Sequence, residues 1–205
     1  MVLTENRQAK FKETISNRQT DLTIVLENVH DPHNIGAVLR SCDAVGINEI
    51  YVVNTTEMTQ EQVLRFGKSA SGAIRWVTIH YFENVTECFK VVKEKYKRIL
   101  ATHLGEQSKD LYHLELTEPV ALLFGNEHKG LSIEALDQCD GNFTIPQFGM
   151  VQSLNISVAC AVTLFEVLRQ RREKGLYNNE YDESKPFHKG KYDEWYEKQL
   201  NKWLI

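Results

Sequence analysis

Four stretches of this chain are apolar without alternation: residues 22–26 (LTIVL), 49–53 (EIYVV), 98–102 (RILAT) and 119–124 (PVALLF). A strand with one face in water alternates apolar and polar side chains; a strand covered on both faces does not. Segments of helical pattern separate these runs, so crossovers join successive strands and the strands run parallel. The pattern predicts an α/β domain, a parallel sheet with helices on both faces. Further strands are expected at 76–81 and 142–145, with helices at 59–66, 85–95 and 133–138 and a long one from Asn155 to about Lys174. The domain covers 21–175. A polar helical extension precedes it at 1–20, and an aromatic helix containing Trp195, Tyr196 and Trp203 lies in the extension 176–205.

Ligands of such sheets gather at the carboxyl ends of the strands. Three polar loops fall there: 27–34, 125–132 and 146–155. Pro32 stiffens the first, a helix is expected to start near Asn34, and Gly46 stops that helix. Arg40 lies on it among Ile35, Val38 and Leu39. Such an arginine is either a surface side chain whose stem covers the core or a fork for a phosphate. The second loop places Glu127 between Gly125 and Gly130, where an ordinary loop carboxylate and a ligand contact are both open. The third runs into Ser153, Leu154 and Asn155 and then a helix apolar nearly all round, which is therefore expected to be buried. Ser and Asn suit a helix N-cap, and a polar cluster there suits an anionic or polar ligand; a plain capped core helix is the alternative.

Several chemistries are excluded. Gly67-Lys68-Ser69 resembles the end of a nucleotide-binding P-loop, but Gln62 stands where the required glycine would be. Gly67 and Gly72 still bracket a phosphate-friendly loop, a weak signal. The first strand is not followed by G-x-G-x-x-G, and Ser153 lies in QSLN, not in a nucleophile turn. Cys42, Cys88, Cys139 and Cys160 are scattered, so neither a disulfide nor a metal site is expected, and Cys42 reads as core. No apolar run reaches membrane-spanning length and the N-terminus has no signal-peptide core, which places the chain in the cytoplasm, away from membranes. Net charge is −4, but the two ends (1–20 and 169–205) are each +2 and the centre −8. Charge alone leaves the partner open.

Three stretches together decide more: ENVHDPHNIGAVLRSCDAVG (27–46), ALLFGNEHKGLS (121–132) and IPQFGMVQSLNISVACAV (145–162). In order and spacing they resemble the three motifs of the SPOUT-class RNA 2′-O-ribose methyltransferases, the TrmH (SpoU) family. The resemblance runs from about residue 20 to 175. HDPHNIGAVLRSCDAVG and RQRREKGLY are most similar to the branch that methylates the D-loop guanosine of tRNA, at position 18.

The resemblance implies a deep trefoil knot in the C-terminal part of the sheet domain and an obligate homodimer. It implies S-adenosylmethionine as cofactor, lying against Thr102, Gly125, Ile145 and Leu154, with no metal. It assigns Asn34 and Arg40, Glu127, and Ser153 with Asn155 to the catalytic motifs, Arg40 being the family's catalytic residue. Lys10, Lys12, Arg18, Arg169, Arg171 and Arg172 could supply contacts to the tRNA backbone. Other targets, ribosomal RNA or an anticodon-loop nucleotide, and a non-catalytic RNA-binding role are the competing expectations.

Overall fold

The computed structural model describes residues 3–55, 72–105, 107–177 and 179–201. The expected helix at 59–66, residues 67–71 of the glycine-bracketed loop, and Trp203 lie outside the described residues.

The strands are β1 (Leu22–Glu27), β2 (Glu49–Val53), β3 (Thr78–Phe82), β4 (Arg98–Thr102), β5 (Lys109–Asp110), β6 (Val120–Phe124) and β7 (Gly141–Thr144). They form one sheet in the order β3-β2-β1-β6-β4-β7-β5, and each neighbouring pair is parallel. The four apolar runs supply β1, β2, β4 and β6. The strand expected at 76–81 begins at Thr78, because a short 3-10 turn at Ala73–Arg75 precedes it. With only two residues, β5 has no periodicity to read.

The helices are α1 (Glu5–Ser16), α2 (Pro32–Ala44), α3 (Val85–Lys95), α4 (Ile133–Leu136), α5 (Ile156–Glu173) and α6 (Pro186–Asn201). α2 starts two residues before the expected Asn34. Asp31 caps it, accepting from the His33 amide at 2.8 Å, and Pro32 opens its first turn, where no amide hydrogen is needed.

Both faces of the sheet are covered, as non-alternating strands require. On one face β1, β2 and β6 meet Ile35, Val38, Leu39 and Cys42 of α2 and Ile156, Cys160, Leu164 and Val167 of α5. On the other, Val85, Cys88, Phe89 and Val92 of α3 pack over Val25, Tyr51, Ile99 and Leu123. The expectation that α5 is buried all round is corrected. Its inner stripe is covered, but Val158 is 46% and Phe165 52% exposed, because the sheet and α2 occupy only one side of it.

The two extensions are not separate arms. Phe11 and Ile15 of α1 bury against Trp195 of α6, and Trp76 joins them with its ring centroid 5.0 Å from that of Trp195. Two of the basic residues expected on RNA are likewise corrected. Arg171 is fully buried: its guanidinium donates to Asp21 at 2.5 Å, to Gln19 and to the carbonyls of Leu116 and Glu118. Arg18 is buried against Asp43 and the Ile47 carbonyl, with its guanidinium over the Trp195 ring. A buried guanidinium needs this many acceptors to replace water, and neither is available to a phosphate.

Candidate active site

The three polar loops leave the carboxyl ends of β1, β6 and β7, and side chains stitch them together. Asn28, just after β1, has a left-handed φ of 53°, a conformation asparagine tolerates better than most residues. Its carbonyl accepts from Nδ2 of Asn126 at 2.9 Å. On α2, Asn34 is buried, and both ends of its amide are used. Nδ2 donates to Oε1 of Glu127 at 2.6 Å, and Oδ1 accepts from Nδ2 of Asn155 at 3.1 Å. Asn155 is also the cap of α5, its Oδ1 taking the Ser157 amide at 2.9 Å. One residue from each loop thus forms a continuous chain.

The loop after β6 is a closed ring. Asn126 and Gly130 exchange both backbone hydrogen bonds, and Oδ1 of Asn126 accepts the amides of His128 and Lys129. This closure explains Gly125: a Cβ there would stand 2.5 Å from the carbonyl carbon and oxygen of Gly130.

Beside this chain lies a cleft of about 660 Å³ between the loops after β4, β6 and β7. Its apolar lining includes Phe124, Phe143, Ile145, Leu154, Ile156 and Ala159; Thr102, Glu127, Gln147, Gln152 and Ser153 supply polar atoms. Phe124 and Phe143 meet edge to face with centroids 6.4 Å apart. Thr102 spends its hydroxyl on the Leu123 carbonyl at 3.1 Å.

All four expected cofactor positions, Thr102, Gly125, Ile145 and Leu154, line this one cleft, as do Glu127 and Ser153. Ser153 is exposed and does not cap α5; Asn155 alone does. Neither Asn34 nor Asn155 lines the cleft; Asn34 connects to it through Glu127, and Asn155 stands between Leu154 and Ile156, which do line it. Arg40 belongs to neither group. It is exposed, and its side chain has no hydrogen bond or ion pair among the described residues. Six residues beyond Asn34, it stands roughly 9 Å further along α2 and on another face. Sequence reasoning did not single out Asn28, Asn126 or His103, the last of which also lines the cleft. An asparagine directly after a buried strand was the available signal for Asn28.

Residues 21–165 match the SpoU rRNA Methylase family. The chain belongs to that family. A tRNA (guanosine(18)-2′-O)-methyltransferase of Thermus thermophilus is 46% identical over 175 residues, 85% of this chain and 88% of that one. A 23S rRNA (guanosine-2′-O-)-methyltransferase of Haemophilus influenzae is 35% identical, with 82% and 67% covered. Among solved structures, the A. aeolicus TrmH/SpoU tRNA modifying enzyme superposes with a TM-score of 0.80 at 32% identity, covering 95% of this chain and 97% of that one. The AdoMet-bound rRNA methyltransferase from Sinorhizobium meliloti gives 0.66 at 30% identity, covering 77% and 59%.

The parallel sheet and its helices are those of the family, as expected. Among the described residues no helix is long and apolar enough to cross a membrane. Nor, among them, do three or more His, Cys, Asp or Glu side chains cluster as metal ligands.

Proposed function

We propose that this chain transfers the methyl group of S-adenosylmethionine to the ribose 2′-oxygen of a tRNA guanosine, the D-loop residue at position 18, as in the relatives named for that reaction. The observation that carries this over an rRNA target is the extent of the likeness. It runs nearly end to end with the tRNA-modifying enzyme, whereas the rRNA methyltransferase structure matches 77% of this chain. The 46% identity to the Thermus thermophilus tRNA enzyme, against 35% and 39% to two rRNA enzymes, points the same way.

The cleft suits the cofactor. Its volume falls in the range of pockets that enclose a ligand of that size, and its apolar floor with a polar rim matches a flat base carrying a charged amino-acid tail. Thr102, Gly125, Ile145 and Leu154 would hold it, with Ser153 at the rim. When bound, the cofactor supplies a methyl carbon on a positively charged sulfur, already a strong electrophile.

The chain's own task is to place the ribose hydroxyl and manage its proton. Asn34 is fixed by Glu127 on one side and Asn155 on the other, so Glu127 is held in one position at the cleft. A guanidinium stays protonated in proteins, so Arg40 serves better as a fork on an RNA phosphate and on the charge developing at the 2′-oxygen than as a base. Its exposure, with no carboxylate partner among the described residues, leaves it available for that contact. A homodimer and the trefoil knot complete the reading. Exposed Val158 and Phe165 on α5, with Phe148, Met150 and Val151 on the adjoining loop, offer an apolar face for a second copy.

The test is incubation with methyl-labelled S-adenosylmethionine and, in parallel, unmodified tRNA and unmodified ribosomal RNA, each followed by nuclease mapping. Label in 2′-O-methylguanosine of the D-loop is expected. Label confined to ribosomal RNA, or none, overturns the reading.

A further inference from the structure

The end of β1 carries a buried carboxylate that the chemistry above does not use. Glu27 is 1% exposed, and among the described residues it has no cationic partner. Taking a carboxylate out of water without a counter-charge costs several kcal/mol unless other donors take its lone pairs. One residue supplies them. Oε2 accepts the Ser132 amide at 2.9 Å, and Oε1 accepts the Ser132 hydroxyl at 2.5 Å. The next residue, Asn28, gives its carbonyl to Asn126. Two successive residues at the end of a central strand therefore grip the two ends of the segment 126–132. Glu127 lies between those grips and reaches Asn34.

Helix capping alone does not account for this. Ser132 already caps α4, accepting the Ala135 amide at 3.1 Å, and α4 is a single turn of four residues. So short a helix returns little for a buried charge. What the grip fixes is the placement of the closed ring on which Glu127 rides.

We propose that Glu27 is a positioning residue: with Asn28 it clamps the 126–132 segment to β1 so that Glu127 meets Asn34 at the mouth of the cleft. The proposal rests on the methyl-transfer reading for its kinetic consequence and on the clamp alone for its dynamic one.

Glu27→Gln is nearly isosteric but replaces one acceptor by an NH₂ group: the Ser132 amide can keep an acceptor, while the Ser132 hydroxyl must accept instead and its own hydrogen loses its charged partner. Hydrogen exchange at the amides of 126–132 is expected to accelerate by about tenfold or more. The single-turnover methylation rate is expected to fall by roughly 10- to 100-fold, the scale of an ångström's misplacement, with KM for tRNA and methyl donor within about twofold of wild type. In a Glu127→Gln background the same substitution should add almost nothing, because the two act through one side chain. If Glu27→Gln does not fold, Ser132→Ala removes one of the two donors and should show the same pattern. Wild-type protein that methylates no RNA overturns the methyl-transfer reading. With active wild type, unchanged exchange, an unchanged rate, or an equal fractional loss in both backgrounds overturns the clamp.

Discussion

Nδ2 of Asn34 lies 2.6 Å from Oε1 of Glu127, although 93 residues separate the two along the chain. This contact joins the first loop to the second, and Asn155 extends it to the third. Being buried, Asn34 cannot exchange these partners for water, so the arrangement is built in before any ligand arrives.

Asn34→Ala should therefore cost more in rate than in stability. Losing the link is expected to lower the single-turnover methylation rate by about 100-fold, while the folded state loses roughly 1 kcal/mol because Glu127 is exposed and rehydrates. Asn34→Asp should be worse than alanine at neutral pH, since it sets one carboxylate against another. Rapid-quench methylation and urea titration check both statements.

Arg171→Ala should do the reverse. It leaves Asp21, Gln19 and two carbonyls without their donor, at an expected cost of about 3–5 kcal/mol in urea unfolding. Affinity of the folded fraction for tRNA should not change, because the side chain is buried. A loss of RNA affinity at constant stability would restore the role first expected of it.

Arg40→Ala should leave both stability and methyl-donor binding unchanged, since the side chain is exposed and lines no part of the cleft. Its methylation rate should fall by about 100- to 1000-fold, the scale of removing one donor to a developing oxyanion. Calorimetry of donor binding beside single-turnover rates separates the two effects.

Acid should weaken the fold at the opposite end of the sheet. Burial alone would raise the Glu49 carboxyl, but hydrogen bonds from His80, Lys95 and Tyr51 overcome it and hold the group at about 2, below its ordinary 4.5. A depressed carboxylate stabilises the folded state above its unfolded value, and that contribution is lost as pH falls from about 4.5 toward 2. The loss is on the order of 3 kcal/mol. Glu49→Gln should flatten this part of the stability profile, measured by urea unfolding at successive pH values.

The sheet was legible because a buried parallel strand leaves an unbroken apolar run, as 22–26 and 119–124 do. The candidate site was legible through the family resemblance, which implied Thr102, Gly125, Ile145 and Leu154 without showing that one cleft gathers them. Other features depend on partners distant in sequence. Arg171 looks like any basic residue near a helix end until Asp21 and two carbonyls close around it. Phe11 and Trp195 reveal their contact only when both ends of the chain have folded. The exposed side of α5 could not be foreseen from composition, since Val158 and Phe165 are as apolar as its covered residues.

The most direct measurement is a crystal structure of the protein with S-adenosylmethionine. The ligand is expected in the cleft between Gly125, Ile145 and Leu154, with the chain from Asn155 through Asn34 to Glu127 intact beside it. A ligand bound elsewhere, or those three side chains apart while it is bound, would contradict the proposed site.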